Sequence, residues 1–92
     1  MEKIVRMHLI FHGTVQGVGF RWRAETICRS LGLTGWVRNL WDDTVEMEVQ
    51  GRSGEIEEME RQMNRQHFIE ITFVDRSPLP PDPHESSFQV ID

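Results

Sequence analysis

Residues 13–21 place three glycines and an arginine where the chain passes from a strand pattern to a helix pattern. Their sequence is Gly-Thr-Val-Gln-Gly-Val-Gly-Phe-Arg. Glycine permits a positive φ, so such a loop can direct several backbone N–H groups toward one point, and the helix start adds a partial positive charge. The guanidinium of Arg21 adds a permanent charge and a planar set of donors. The segment is typical of a loop that binds a phosphate or a carboxylate.

The basic residues are concentrated in the first half of the chain. The formal net charge is −5, but residues 1–40 carry a net charge of +4 and residues 41–92 one of −9. An acidic chain is a poor candidate for nonspecific nucleic-acid binding, which needs excess Lys and Arg. We therefore expect no nucleic-acid partner, and an anion site in the first half. The alternative is that two solvated faces differ in sign by chance.

The spacing of apolar residues predicts the elements that position this loop. The predicted elements are a strand at 3–12, a helix at 20–31 ended by Gly32, strands at 35–40 and 44–50, a helix capped by Ser53, a strand near 69–73, a proline-rich connection at 77–87 and a short strand at 88–90. This order favours an α+β, ferredoxin-like β-α-β-β-α-β sandwich, an antiparallel sheet with two helices on one face.

Alternation within the strands assigns one face to the core and the other to solvent. In the first strand, the predicted solvent face carries Arg6, His8 and His12. In the fourth strand, Ile69, Ile71 and Phe73 are predicted to point inward.

Composition sets the class of protein. A chain of 92 residues with 38% hydrophobic composition suits one small domain, which we expect to span residues 1–92. The first residues lack the long apolar run of a signal peptide or membrane span, so we expect a cytoplasmic protein without membrane association. A single cysteine, Cys28, agrees with a reducing compartment. The acidic second half favours a monomer.

The glycine loop closely resembles the first signature of the acylphosphatase family. In the second signature of that family a glycine, an aromatic residue, a small apolar residue and a basic residue precede an asparagine. Residues 35–39, Gly-Trp-Val-Arg-Asn, match that pattern. The resemblance covers the whole chain, and two signatures at this separation are far more specific than a glycine loop alone.

The resemblance implies metal-independent hydrolysis of small acyl phosphates to a carboxylate and inorganic phosphate, with no cofactor. It implies that Arg21 binds the phosphoryl oxygens and that Asn39 orients the attacking water, as the catalytic pair. The departing carboxylate is a weak base with a conjugate-acid pKa near about 4, so no general acid is needed. Backbone N–H groups are implied to complete the phosphate site, those of Gln16, Gly17, Val18, Gly19 and Phe20. Gln16 is expected to contribute only its backbone.

Two other functions remain as alternatives. The chain could be an anion-binding module that keeps the loop and has lost efficient turnover. An RNA-binding sheet is disfavoured, because the strands lack adjacent exposed aromatic residues for base stacking. Hydrolysis of an acyl phosphate separates the first alternative from the enzyme.

Other reactive side chains are assigned structural roles. A phosphatase with Cys28 as nucleophile would need an arginine six positions later, where Thr34 stands, so Cys28 is predicted to be a core residue. His8 and His12 lie about 13 Å apart along one strand, too far to share a metal ion. Both are predicted to be partly exposed.

The basic and aromatic side chains near the two signatures are assigned to the surface and to packing. Arg23 and Arg38 are predicted to be surface charges that raise the local potential, with direct contact to the substrate as the alternative. Trp36 is expected to pack near the core. Trp22 and Trp41 are expected to lie partly exposed beside the site, where packing is favoured and contact with an aromatic acyl group is the alternative.

Asp43 departs from the family pattern, which commonly has glycine at this point of the hairpin. Asp adopts the positive φ of such a turn at a cost of about 1 kcal/mol. We therefore expect a wider or more mobile hairpin, with turnover more affected than phosphate binding.

Overall fold

Five strands and two helices form in the computed structural model, which describes residues 3–91. The elements are β1 (Ile4–Thr14), α1 (Phe20–Ser30), β2 (Thr34–Asn39), β3 (Val45–Arg52), α2 (Ser53–Asn64), β4 (Glu70–Leu79) and β5 (Phe88–Val90). The strand order in the sheet is β4-β1-β3-β2-β5. The ferredoxin-like α+β prediction is confirmed.

The sheet is mixed, because one of its strand pairs is parallel. The pairs β1–β4, β1–β3 and β2–β3 are antiparallel, as predicted. β5 pairs in parallel with β2, so the prediction of a wholly antiparallel sheet is wrong at this edge. The connection after β4 returns across the sheet to the opposite edge, where β5 runs in the direction of β2. β3, α2 and β4 lie between β2 and β5 in the chain, so no tight hairpin forces these two strands to be antiparallel.

The core lies between the helices and one face of the sheet. The position of α1 agrees with the prediction from periodicity: the helix ends at Ser30, with Leu31 as its C-cap, before Gly32, whose φ is +72°. α2 begins differently from the prediction: Arg52 is its N-cap and Ser53 is already inside the helix, with no capping hydrogen bond from a side chain. The fully buried side chains include Leu9, Phe11, Ala24, Cys28, Val37, Val45, Met47, Val49, Met59 and Met63.

A β-bulge reverses the predicted orientation of Phe73. His12 pairs with Phe73, but Gly13 pairs with Ile71, so Thr72 is an extra residue in β4. Ile71 still packs against the core, whereas Phe73 is 58% exposed. The prediction that Phe73 points inward is therefore wrong, because one inserted residue changes which side chains face the core.

The outer face of the sheet is partly covered by the connection between β4 and β5. Arg6, predicted to face solvent, is only 6% exposed. Its guanidinium binds Glu85 at 2.8 Å and Glu48 at 2.9 Å. The amide of Gln50 donates to the carbonyl of Asp82 at 2.9 Å and accepts from its N–H at 2.7 Å. The hydrogen bond with Glu85 contributes most to raising the pKa of Arg6 above its ordinary value.

Trp36 lies on this outer face, so the expectation that it packs near the core is wrong. Its neighbour Val37 takes the inward position and is completely buried. The guanidinium of Arg38 lies 5.4 Å from the centre of the Trp36 ring. Alternation along β2 allows only one of the two neighbours to enter the core.

Candidate active site

The loop between β1 and α1 has the backbone geometry that its glycines predict. Gly17 and Gly19 have φ values of +74° and +79°, and Gly19 is the N-cap of α1. Among the described residues, no backbone carbonyl accepts a hydrogen bond from the N–H groups of residues 17–20. These donors lie at a helix N-terminus, where the backbone favours negative charge. The loop can therefore receive an anion.

One cavity of about 420 Å³ lies beside this loop. Arg21, in the first turn of α1, and Asn39, the last residue of β2, both line it. Eight of its nine lining residues belong to the first half of the chain, the half with excess positive charge. The lining residues are Val15, Gly17, Gly19, Phe20, Arg21, Trp22, Glu25, Asn39 and Val90.

Two of the predicted phosphate-binding residues, Gln16 and Val18, do not line the cavity. The side-chain amide of Gln16 instead donates to the carbonyls of Leu40, at 2.7 Å, and Thr44, at 2.8 Å. Val18 lines a separate depression beside Phe68. The sequence prediction gave Gln16 only a backbone role. A long polar side chain in a loop otherwise built from Gly and Val was the available signal for a second role.

The turn between β2 and β3 is tightly closed. The N–H of Leu40 donates to the carbonyl of Thr44 at 2.9 Å. The Asp42 carboxylate accepts hydrogen bonds from the Oγ1 of Thr44 at 2.5 Å and from its N–H at 3.2 Å, and these bonds lower the pKa of Asp42. Asp43 has a φ of +71°, the left-handed conformation expected from the sequence. The expectation of a wider or more mobile hairpin is not supported by these contacts, because the Asp42 side chain holds the turn together.

Trp22, Glu25 and Val90 line the cavity in addition to the predicted site residues. Trp22 is 60% exposed and lines the cavity, in agreement with the partial exposure expected beside the site. Trp41 is 94% exposed and does not line the cavity, so the expectation that it packs is wrong. The signal for Glu25 was its position four residues after Arg21, which places the two on the same face of α1. The Glu25 carboxylate lies 3.3 Å from the guanidinium of Arg29.

The other two arginines near the signatures lie at the surface, as predicted, but they contribute charge unequally. Arg23 is exposed, with its guanidinium 4.8 Å from the centre of the Trp22 ring. Arg38 binds the Glu46 carboxylate at 2.6 Å on the outer face of the sheet. The charge of Arg38 is therefore largely neutralised there, and the prediction that it raises the local potential is not supported.

Cys28 and the two histidines of β1 have the structural roles expected for them. Cys28 is completely buried, and burial raises the pKa of its thiol to about 12, so it is not a thiolate nucleophile at neutral pH. His8 and His12 are partly exposed and bind different carboxylates, those of Glu46 and Asp75. Within residues 3–91, no three His, Cys, Asp or Glu side chains are grouped so that they could hold a metal ion. Neither described helix is long and apolar enough to cross a membrane.

Comparison with known proteins agrees with the two signatures and the fold. A sequence model of the acylphosphatase family matches residues 7–90. The chain belongs to the acylphosphatase family. Among acylphosphatases, that of Bifidobacterium longum is 47% identical over 60 residues, and that of Thermococcus kodakarensis is 53% identical over 55 residues.

The match to the Bifidobacterium longum protein covers 65% of this chain and 62% of that protein, and the match to the Thermococcus kodakarensis protein covers 60% of each. The matched segment thus spans about three fifths of the length of these two acylphosphatases. The crystal structure of acylphosphatase from Bacillus subtilis superposes with a TM-score of 0.88 at 24% identity. That superposition covers 96% of this chain and 99% of the other, and it supports the ferredoxin-like fold of this acylphosphatase family member.

Proposed function

We propose that this chain hydrolyses acyl phosphates to a carboxylate and inorganic phosphate. The observation that supports this most is the meeting of Arg21 and Asn39, from two different elements, in the cavity beside the glycine loop. Membership of the acylphosphatase family supports the same activity.

In this proposal the loop and Arg21 hold the phosphoryl group. The N–H groups of Gly17, Gly19 and Phe20, residues that line the cavity, surround the phosphoryl oxygens together with the backbone N–H groups of Gln16 and Val18, whose side chains lie outside it. The helix N-terminus of α1 adds its partial positive charge. Arg21 donates two parallel hydrogen bonds to these oxygens through its guanidinium. Charge that develops on the oxygens during transfer is therefore met by donors already in place, which is the main source of catalysis in phosphoryl transfer.

Asn39 is proposed to orient the attacking water. Its amide oxygen accepts a hydrogen bond from the water, while its N–H₂ donates to a phosphoryl oxygen. The water oxygen forms a bond to phosphorus as the bond from phosphorus to the acyl oxygen breaks, and the electron pair of that bond leaves with the carboxylate. The water proton passes to the phosphate product or to solvent. A carboxylate leaving group needs no proton, so positioning and charge neutralisation suffice.

We also propose that the protein acts as a cytoplasmic monomer, without a nucleic-acid or membrane partner. The support is its single, buried cysteine and the excess of acidic residues in its second half. Gel filtration at low and high salt checks the monomer: a dimer at both salt concentrations contradicts it.

The test of the proposed activity is release of inorganic phosphate from benzoyl phosphate in the presence of a chelator. We expect turnover in the wild-type protein and a loss of at least about 100-fold in Arg21→Ala. Arg61→Ala is the matched control, because Arg61 binds Glu58 on the surface of α2, away from the cavity. Binding of phosphate by the wild-type protein without turnover contradicts the enzyme and supports an anion-binding module.

A further inference from the structure

The cavity has room for more than the phosphoryl group. Its volume of about 420 Å³ lies within the range of roughly 300–1,000 Å³ found for sites of small organic ligands. The proposed mechanism uses the loop, Arg21 and Asn39. The wall formed by Trp22, Glu25 and Val90 has no part in it. This remaining wall is where the acyl group of a bound substrate has to lie.

Trp22 provides a flat apolar surface directly beside the phosphate-binding residue Arg21. Most of its side chain is exposed, although a large aromatic ring on a helix usually packs into the core. The guanidinium of Arg23 lies over the ring, 4.8 Å from its centre, and restrains its orientation. Val90, from β5, adds an apolar side chain to the same cavity. Together they favour an acyl group with an aromatic or apolar body.

Glu25 gives the same wall a negative charge. It follows Trp22 by three residues on α1, so the two side chains lie on one face of the helix. Among the nine residues that line the cavity, Glu25 is the acidic one. Arg29 offsets its charge in part, but the guanidinium of Arg29 is also shared with the carbonyl of Phe88, at 3.1 Å. A second carboxylate on the acyl group would meet a like charge here.

On the basis of the proposed function, we infer that Trp22 and Glu25 determine which acyl group the site accepts. Trp22 contacts the body of the acyl group and favours flat, apolar groups. Glu25 disfavours acyl groups that carry a second carboxylate. The substrate class is therefore acyl phosphates whose acyl group carries no charge, with aromatic acyl groups preferred over acetyl.

Three substrates separate these effects: benzoyl phosphate, 4-carboxybenzoyl phosphate and acetyl phosphate. The quantity compared is the ratio of kcat/KM values for two substrates within one variant, because such a ratio does not depend on the fraction of protein that is folded. The same ratios are measured as Kd values for the corresponding acylphosphonates, whose P–C bond is not hydrolysed. Trp41→Ala is the matched control, since Trp41 is a fully exposed tryptophan outside the cavity.

We expect Trp22→Ala to lower the preference for benzoyl over acetyl phosphate about fivefold, the strength of one aromatic contact. We expect Glu25→Gln to raise kcat/KM for 4-carboxybenzoyl phosphate, relative to benzoyl phosphate, about threefold. Trp41→Ala is expected to leave both ratios unchanged. If Trp22→Ala or Glu25→Gln leaves its own ratio unchanged, the assignment is overturned.

The kcat/KM ratios and the Kd ratios together distinguish failure of this assignment from failure of the proposed function. Turnover with unchanged ratios in the variants contradicts the acyl-group site and leaves the proposed function intact. Absence of turnover with all three acyl phosphates contradicts the proposed function, and the Kd ratios of the acylphosphonates then decide whether Trp22 and Glu25 select the acyl group.

Discussion

The side-chain amide of Gln16 donates a hydrogen bond of 2.7 Å to the carbonyl of Leu40, the residue that follows Asn39. A second bond of 2.8 Å, to the carbonyl of Thr44, joins the same amide to the other side of the turn. The loop proposed to hold the phosphate is thereby fixed to the hairpin that carries Asn39. One side chain links the two halves of the proposed site.

We predict that Gln16→Ala lowers kcat by about tenfold and changes the Kd for phosphate less than about threefold. The reason is that the backbone donors of the loop remain, while Asn39 loses its fixed position relative to them. Loss of two hydrogen bonds also lowers the free energy of unfolding, by about 1–2 kcal/mol. The measurements are steady-state kinetics, phosphate titration and urea denaturation.

The control is Gln62→Ala, because the Gln62 amide donates to Glu58 within α2, away from the loop and the hairpin. An equal loss of kcat in both variants would show that the effect is not specific to the link between loop and hairpin.

Replacing Asp43 by glycine is predicted to stabilise the protein. Asp43 has a φ of +71°, which costs a non-glycine residue about 1 kcal/mol, and its side chain is exposed. In a domain of this size, about 1 kcal/mol corresponds to roughly 4–8 °C in Tm. Glycine also adds conformational entropy to the unfolded chain, which offsets part of this gain, so we expect Tm to rise by a few degrees. Asp42→Gly serves as a control with the opposite expected effect. It removes the acceptor of two hydrogen bonds from Thr44 and should lower Tm. An unchanged or lower Tm in Asp43→Gly contradicts strain at this position.

Removing the buried guanidinium of Arg6 is predicted to be strongly destabilising. Arg6→Met leaves the carboxylates of Glu48 and Glu85 without their shared partner beneath the connection to β5, and loss of one partner from such a pair costs about 3 kcal/mol. The free energy of unfolding in urea measures this. Arg76→Met is the comparison, since Arg76 binds Glu60 at an exposed position and its loss costs less than about 1 kcal/mol. Equal losses in the two variants would show that the connection does not shield Arg6.

Glu46 is predicted to contribute to the loss of stability in acid. Burial disfavours its charge, but hydrogen bonds from His8 and Arg38 outweigh that effect and lower the pKa of Glu46. Because its pKa is lower in the folded state, the stabilisation is fully present above the unfolded pKa of about 4.3 and is lost as the pH falls through the folded pKa.

Glu46→Gln should therefore flatten the decrease of the free energy of unfolding on acidification from pH 5 downward. Glu57→Gln, at an exposed position of α2, serves as the control and leaves the slope unchanged. The prediction fails if Glu46→Gln and the wild-type protein lose stability in parallel.

Local patterns were sufficient for much of the fold. The spacing of Phe20, Ala24, Ile27 and Cys28 located α1, and all four are buried. The glycines of the loop and Asp43 showed where a positive φ is needed. These features depend on residues close together in sequence, which is why the sequence predicts them.

Features that depend on distant parts of the chain were missed. The burial of Arg6 requires Glu85, 79 residues later, to return across the sheet. The bulge at Thr72 has no local sequence sign, because a single extra residue is visible only when β4 is paired with β1.

The most direct test of the account compares turnover and phosphate binding in Asn39→Ala. If Asn39 orients the attacking water, as we propose, kcat with benzoyl phosphate falls by at least about 100-fold, while the Kd for phosphate rises less than about tenfold, the strength of the one hydrogen bond that is lost. Asn64→Ala, at the exposed end of α2, keeps the wild-type values of both. A kcat for Asn39→Ala within tenfold of the wild-type value would contradict the central role of Asn39.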